Sequence, residues 1–582
     1  MIEKMTKYSF ILLNREKEGF LDELSALGVM DISRSTKPID GRSAEMLGAA
    51  ESLGRRIALL EKGDWTRDEA YADLLGRVSE AESALADLQP WGEADAEKIA
   101  ALERSGIVFH YYVIPEKKYD PAWEEQYAVQ VVSREAGKLR MVVAAPYGAE
   151  VALPFKEAAR PGVTPAEAQA RLDSLNAALA DRAKALDEER GTLPALKAEY
   201  AARRHELDLY WAEATGESAA EDHLTVYVGF APTEKDSELQ AKFDELGYFY
   251  LNAPATVEDN PPISFRNNWF TRQFEVLTDM YGRPTYDEFD PTPILGPFFL
   301  LFFAMCMGDA GYGLLLILIG WLLKKKVPSM AKLGPLVMIL GVGTFLVGIV
   351  LHTFFGINLY TAEWVPEWLK KCMVSGSIAG YDAQMVLAVG VGVFHICLAM
   401  TVKAFCFTER YGFKKSISTW GWTLLIVGSI VIGGLGLLGV IDMPFVKVIL
   451  ICLGIVSGIS IFLLNDLDRN PLINVGAGLW QTYNTVTGLM GDVLSYLRLY
   501  ALGLAGGMLG NTFNTLAGMT LGIPVPGVNF LLFAVIILIG HALNLALSCL
   551  GAFVHPLRLT FVEYFKNSGY EGGGRNYNPL IK

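Results

Sequence analysis

Cysteine is scarce in this chain, six residues in 582, and all six lie in the C-terminal half: Cys306, Cys372, Cys397, Cys406, Cys452 and Cys549. Their spacings form no metal or redox motif, and no disulfide framework is expected. A basic excess is missing too. With 50 Lys and Arg against 64 Asp and Glu, the formal charge of -14 argues against nucleic acid as a main partner, because that role needs a basic footprint. Neither a Walker motif nor a zinc-type cluster appears, so no ATP site, metal or cofactor is expected in the chain itself. The start, MIEKMTKYSFILLNREKEGF, has too short an apolar core and the wrong flanks for a secretory signal; the expectation is that the first half stays in the cytoplasm.

Charge is unevenly spread. From Met1 to about Asp290 the chain is charged and rich in Ala, Glu, Lys and Arg, whereas from Pro291 long apolar runs dominate. A 52% hydrophobic composition and a mean hydropathy of +0.28 fit a chain whose apolar residues are concentrated in one part. The reading is a soluble half, residues 1–290, followed by a membrane half, residues 291–582.

In the soluble half, KYSFILL, EGFLDELSALG and VMDIS read as strand, helix, strand. Tyr71, Leu74, Val78, Ala81, Leu85 and Leu88 then recur in steps of three and four, which makes one apolar seam. Leu172, Leu179, Leu186, Leu193, Tyr200 and Leu207 repeat every seven residues, with Leu175, Leu196 and Tyr210 at the partner positions. Gly191 and Pro194 should bend or break that second helix. Between the helical stretches, YAVQVVS and KLRMVVAAP are expected strands; LTVYVGFA, a helix through SELQAKFDELG, and YFYLN follow. The fold class predicted is therefore two α/β lobes (about 1–40 with 222–285, and 107–163) joined by a long antiparallel coiled coil (about 41–106 with 164–221), ahead of an all-α polytopic domain. A homodimeric coiled coil is the rival arrangement; globular sequence between two comparable helical stretches favours the hairpin.

The membrane half reads as about eight spans when each long run is counted once, the last two, from about Val475 to Leu516 and from about Val528 to Val562, being overlong. Inner loops holding Lys324 to Lys332, Arg410 to Lys415, Arg469 and the tail with Lys566, Arg575 and Lys582 would carry most of the basic residues, placing both termini in the cytoplasm. The outer loop with Trp364, Trp368, Lys370 and Lys371 is the main exception. Splitting the Val475 run would spoil this pattern, so one helix of roughly 60 Å must cross a core of about 30 Å by tilting or bending.

Arg498 lies near the middle of that helix, where a cation costs about 2.5 to 3.5 kcal/mol on translocon scales. Gln481, Asn484, Gly488, Gly491, Ser495 and Arg498 fall in helical steps on one face. His541, Asn544, Ser548, His555 and Arg558 form a second stripe on the last run. Two polar seams, each ending near an arginine, predict the wall of a hydrated path, and the competing reading is packing and structural ion pairs, which for Arg558 near the inner end is equally open. Asp492 falls off the Arg498 face, so a lining or ion-pair role for it stays open. Asp309 in GDAGYG is either an intramembrane acid or a helix N-cap, and Glu563, one turn beyond Arg558, is either a functional acid or the partner of a base near the interface. The C-terminal GGG reads as a flexible tail element; without a following Lys-Ser/Thr it is no phosphate loop.

The motifs GPFFLLFFAMCMGDAGYG, GDVLSYLRLYALGLAGGMLG and GHALNLALSCLGAFVHPLRLTFVEYFKNSGYEGGG resemble the membrane-embedded stator subunit, a or I, of rotary V-type and archaeal/bacterial V/A-type ATPases, in its prokaryotic branch. The resemblance implies that Arg498 matches the family's essential arginine facing the rotor ring, and that His555 and Arg558 match the motif on the neighbouring helix. It implies as partners a ring of proteolipid subunits, peripheral stalk subunits of the E/G type held by the cytoplasmic arm, central stalk subunits, catalytic A/B subunits and membrane lipid. Coupling of H+ or Na+ movement to ATP hydrolysis or synthesis would be the function. One departure stands out: Ser548 occupies the position where eukaryotic relatives tend to carry an acid. The alternative, a secondary transporter with a cytoplasmic regulatory domain, would require inverted repeats, and none is detectable.

Overall fold

A computed structural model describes residues 1–582 apart from 36, 93–95, 136, 150, 161, 220–222, 328–329, 364, 379, 466–470, 523, 526 and 582. Trp364, Arg469 and Lys582, used above in assigning loops, lie outside the described residues. The chain divides into two compact units, one comprising residues 15–28, 34–216 and 580–582, the other 1–14, 29–33 and 217–579.

The first of these units is built on helices α1 (Lys17–Leu27), α2 (Gly41–Lys62), α3 (Glu69–Leu88), α4 (Ala96–Arg104), α5 (Pro165–Arg190) and α6 (Leu193–Ala214). Helix α3 packs on α5 and α2 on α6, within one chain. The apolar seam predicted from sequence is the contact: Val78 and Leu85 are buried with Ala168, Leu172 and Leu175, and Leu74, Ala81, Leu88 and Leu179 close over them. The second helical stretch breaks at Gly191–Thr192, with Pro194 in the first turn of α6, where its missing N–H and fixed φ are tolerated. An antiparallel sheet in the order 107–115, 138–146, 128–135 follows α4. Its core is Tyr112, Ile114, Leu139, Met141 and Val143. Strand Ile107–Pro115 was not among those expected, although IVFHYYVIP has the β-branched and aromatic content of one.

A charged cluster ties this unit together. Asp68 caps α3 through Tyr71 N, takes Arg182 Nη2 at 2.9 Å and Arg56 Nη1 at 2.9 Å, and Arg56 also pairs with Glu189. Burial alone would raise the Asp68 carboxyl, but the Arg56 bond, the Tyr71 amide and Arg182 together hold it below the usual range; Arg56 likewise lowers Glu189.

In the second unit a five-stranded antiparallel sheet runs in the order 31–32, 224–232, 5–13, 249–254, with 217–219 also paired to 224–232. Phe243 of helix α7 (Asp236–Leu246) stands edge-on to Phe10 at 5.1 Å. The C-terminal segment is not a loose tail. Ile263 N donates to Arg575 O at 2.7 Å, Gly574 N to Arg283 O at 2.8 Å and Asn578 N to Asp31 Oδ2 at 3.0 Å. A Cβ at Gly574 would sit 1.9 Å from the Pro284 carbonyl oxygen, so the glycines that read as flexible serve a close backbone approach.

The remainder is helical: α8 (Thr292–Met307), α9 (Ala310–Lys326), α10 (Gly334–Val350), α11 (Ala383–Tyr411), α12 (Phe413–Leu437), α13 (Met443–Phe462), α14 (Pro471–Ser495), α15 (Leu497–Thr520) and α16 (Val528–Arg558). Among the described residues five helices are long and apolar enough to cross a membrane, at 383–411, 413–437, 443–462, 472–520 and 528–568. The first three predicted spans correspond to the shorter α8, α9 and α10, of 16, 17 and 17 residues. Helices α9 and α10 approach backbone to backbone, because a Cβ at Gly313 would lie 2.5 Å from Phe345 N. Asp309 settles as the N-cap of α9. Its fully buried carboxylate accepts from Gly311 N, Tyr312 N, Phe355 N and Gly356 N at 2.7 to 3.2 Å, so one side chain satisfies four backbone amides.

Two outcomes are expected. Because Asp68 and Glu189 have folded pKa values below their unfolded ones, the stability they supply is complete above about pH 5 and is lost as pH falls through the folded values. Asp68→Ala should cost about 2 kcal/mol and flatten that acid limb in thermal melts of the detergent-solubilised protein. For Asp309, alanine should leave four buried amides unmet, so that little folded protein is recovered from membranes, whereas Asp309→Asn should restore part of the yield.

Candidate functional site

The overlong run is a single helical path with one interruption. Tyr496 stands between α14 and α15, where Tyr496 N bonds Val493 O at 3.1 Å and Leu499 N bonds Tyr496 O at 3.1 Å, three-residue spacings that tighten the turn. The side chain at the break is fully buried. Its ring fills the notch above Gly392 of α11, where a Cβ would lie 2.3 Å away, and its hydroxyl meets His395 Nδ1 at 2.9 Å. His395, 1% exposed, is stacked on Tyr564 at 4.6 Å and edged by Phe302 at 5.0 Å. Thus the residue two positions before Arg498 is fixed from a neighbouring helix.

Arg498 is partly buried. Its Nη1 is shielded from solvent and meets no hydrogen-bond acceptor, and no ion pair among the described residues includes it. It lies close enough to His555 for its charge to act on the imidazole, as does that of Arg558, which is exposed. The structure therefore places Arg498 on α15 and His555 with Arg558 on α16, which packs against α15.

Two cavities lie along the α14–α15 path. One, of about 260 Å³, is lined by Gln481, Asn484, Gly488 and Asp492 of α14, Lys403 and Met400 of α11, Thr419, Trp422 and Thr423 of α12, and Lys566 and Asn567. Asp492, 8% exposed, accepts from Asn567 Nδ2 at 2.8 Å and lies 3.5 Å from Lys566 Nζ. The other, of about 190 Å³, begins at Leu499 and Tyr500 and runs past Gly503, Gly507 and Asn511, with His352, Asn358 and Gln384 opposite. Arg498 falls between the α14 residues of the first and the α15 residues of the second.

The predicted seams divide differently from expectation. Gln481 and Asn484 share their cavity with Asp492, which helical spacing had set off the arginine's face. Ser495 bonds back to Gly491 O at 3.1 Å and lies against the Glu563 carboxylate instead. On α16, His541, Asn544 and Ser548 line neither cavity. They form a knot in which Tyr312 Oη meets His541 Nδ1 at 2.7 Å, His541 Nε2 meets Asn514 Oδ1 at 3.0 Å, Asn544 Nδ2 donates to Tyr312 Oη at 2.8 Å and to Gly506 O at 2.9 Å, and Ser548 Oγ donates to Asn544 Oδ1 at 3.3 Å. Sequence reasoning missed Lys403, Lys566, Asn567, Tyr496 and His395. The signal for His395 was present, an ionisable residue inside the apolar run VGVFHICLAM, the same logic that singled out Arg498.

Residues 179–357 match the family described as the V-type ATPase 116kDa subunit family. The A-type ATP synthase subunit I of Methanocaldococcus jannaschii is 29% identical over 394 residues, covering 62% of this chain and 54% of the relative. That of Pyrococcus horikoshii is 32% identical over 346 residues, covering 58% and 50%. The matches thus span about half the length of these archaeal relatives. V-type ATP synthase subunit I 1 of Treponema pallidum aligns along 100% of both chains at 28% identity. These matches, with five helices of membrane-crossing length among the described residues, make the chain similar to subunit I of V-type and A-type ATP synthases and support a multi-pass membrane subunit of that kind.

Proposed function

We infer that this chain is the stationary membrane component of a rotary ATPase, in which Arg498 faces a moving ring of carboxylate-bearing subunits and the two cavities give ions access from opposite sides. The observation that carries this reading is a guanidinium with an unmet donor, carried on the helical path between the α14 residues that line one cavity and the α15 residues that line another. A rotor carboxylate passing within about 4 Å would be attracted by about 4 kcal/mol at an effective dielectric near 20, equal to about three pKa units. The carboxylate is then ionised beside Arg498 and neutral elsewhere in lipid, by protonation or by a bound Na+. Each rotor site releases its ion into one cavity and reloads from the other, and the arginine blocks a direct path between them. Ion flow and rotation are thereby coupled, with each charge crossing worth about 2.3 kcal/mol per 100 mV.

Arg558 adds positive field on the α16 side, so that an ion crossing between the cavities meets a barrier wider than one side chain. The charged N-terminal half, with its paired helices and two sheets, serves as the cytoplasmic arm that holds peripheral stalk subunits against the torque, while the nucleotide-binding subunits belong to the rest of the complex. The names of the relatives, all subunits of ATP synthases, support this over a secondary transporter with a regulatory domain.

Lysine keeps a charge at position 498 but loses the delocalised, poorly deprotonated fork. Arg498→Lys should assemble with the complex and fail to drive ion uptake in sealed vesicles, read by quenching of a pH-sensitive dye or by uptake of labelled Na+. Full coupled transport by that variant rejects the role.

A further inference from the structure

The pair Lys370 and Lys371, the exception to the charge pattern of the loops, has no part in the scheme above. Lys370 ends the short helix Glu367–Lys370, and Lys371 follows it. Trp368, Tyr381 and Lys371 are exposed, the mixture of amphipathic rings and cations that sits at a membrane–water interface. No ion pair among the described residues includes either lysine. Of the acids close by in the chain, Asp382 is engaged in capping α11 through Gln384 N at 2.8 Å, while Glu363 and Glu367 are exposed.

Three residues beyond Lys371, Val374 joins the wall of a groove of about 690 Å³ between α8 and α11. Along α11 the groove runs from Ala383 past Leu387 to Phe394, and on α8 it is lined by Leu301 and by Phe298, whose ring lies 6.1 Å from that of Phe394. Every side chain lining it is hydrocarbon. Its wall also has a gap at Gly390, where a Cβ would meet nothing within 4 Å. From Ala383 to Phe394 the helix rises roughly 16 Å, half of a hydrocarbon core about 30 Å thick. A groove one leaflet deep fits a single acyl chain, whereas a membrane-crossing helix of another subunit would need one that runs through both leaflets.

We propose that this groove holds one acyl chain of an anionic phospholipid, whose headgroup phosphate is bound by Lys370 and Lys371. The two halves of the site act through different forces. Burial of methylene groups against Phe298, Leu301 and Leu387 holds the chain and does not distinguish one phospholipid from another. The lysine pair does, since it attracts a headgroup of net negative charge, whereas a zwitterionic headgroup carries its own ammonium. Phe298 also packs on His395 at 4.3 Å, so the seated chain backs the aromatic layer that positions Tyr496. No residue of the groove takes part in ion movement, and the site stands whether or not Arg498 faces a ring.

The test places the assembled complex in phosphatidylcholine vesicles holding a trace of phosphatidylglycerol with a photoreactive diazirine midway along one acyl chain, and compares the matching phosphatidylcholine probe. Light should attach the phosphatidylglycerol probe to peptides covering 297–301 and 386–394 about tenfold more than the choline probe, and the preference should shrink as salt is raised. Lys370→Gln combined with Lys371→Gln should bring both probes to the same low level. Gly390→Leu, whose Cβ meets no neighbour, should fill the gap and lower labelling by both. Equal labelling of the wild-type protein by the two probes overturns the proposal, because the groove then holds bulk lipid only. So does an absence of labelling in the complex, the result of another subunit lying over the groove, and so does a preference that survives the lysine substitutions or labelling unchanged by Gly390→Leu. Should the leucine variant not assemble, the lysine variant, which leaves the groove itself intact, decides alone.

Discussion

The Tyr496 ring, seated in the notch above Gly392 with its hydroxyl on His395, is the contact on which the geometry of the candidate site depends. A helix of 49 residues is far longer than a bilayer requires. Left uninterrupted, it would turn its polar residues continuously around the axis. The tightened turn at Tyr496 instead resets the phase, so that α14 presents Gln481, Asn484 and Asp492 to one cavity and α15 presents Gly503, Gly507 and Asn511 to another. Arg498 falls just after the reset. A buried hydroxyl–imidazole bond is a good device for this, since breaking it would leave two polar groups unmet among aromatic rings.

The same economy of backbone satisfaction recurs around the site. Asp309 gathers four amides at the α8–α9 turn, two of them from the 355–356 segment, and so holds that segment next to Gly510, where a Cβ at Gly356 would lie 2.4 Å from the helix backbone. Asn514 then donates to Phe355 O at 2.7 Å and shares His541 with Tyr312. These bonds fix α15 and α16 relative to α9 with no free charge involved. At the other end, Pro556 removes one helical amide, and the widened turn that follows carries Glu563.

Much of this was legible in the sequence, and the failures have identifiable causes. The apolar seams of α3 and α5, the break at Gly191 and the strands 5–13, 138–146 and 224–232 followed from periodicity, which local packing then obeyed. Arg498 stands out in the sequence because a cation inside a long apolar run is costly to bury, and in the structure its Nη1 meets no acceptor among the described residues. The seam through Gln481 and Arg498 was only half right, for helical spacing was carried across a turn that does not keep it. The His541–Ser548 stripe was correctly polar but wrongly open to a cavity, since nothing in the stripe itself foretold Tyr312 and Asn514 arriving from two other helices. The C-terminal glycines misled for a related reason: glycine permits flexibility and close approach alike, and only the position of Pro284 distinguishes them.

A lone buried donor on a guanidinium carries a desolvation cost of about 1 to 3 kcal/mol, more when the group is charged. Among the described residues no acceptor meets it: Glu563 is directed toward Ser495, Asp492 toward Asn567 and Lys566, and Asp309 toward four amides. Each of these carboxylates is thus held by something other than Arg498, and the residue that could relieve the cost most cheaply, an acid one turn away on α15, is absent from LRLYALGLAGGMLG. An arrangement that keeps every internal acid off its central cation makes physical sense when the acid that satisfies it belongs to a neighbour that comes and goes. Under the proposed reading, a permanent internal partner would compete with a ring carboxylate for the guanidinium and would erase the difference in affinity between sites at the arginine and sites in lipid from which direction would arise.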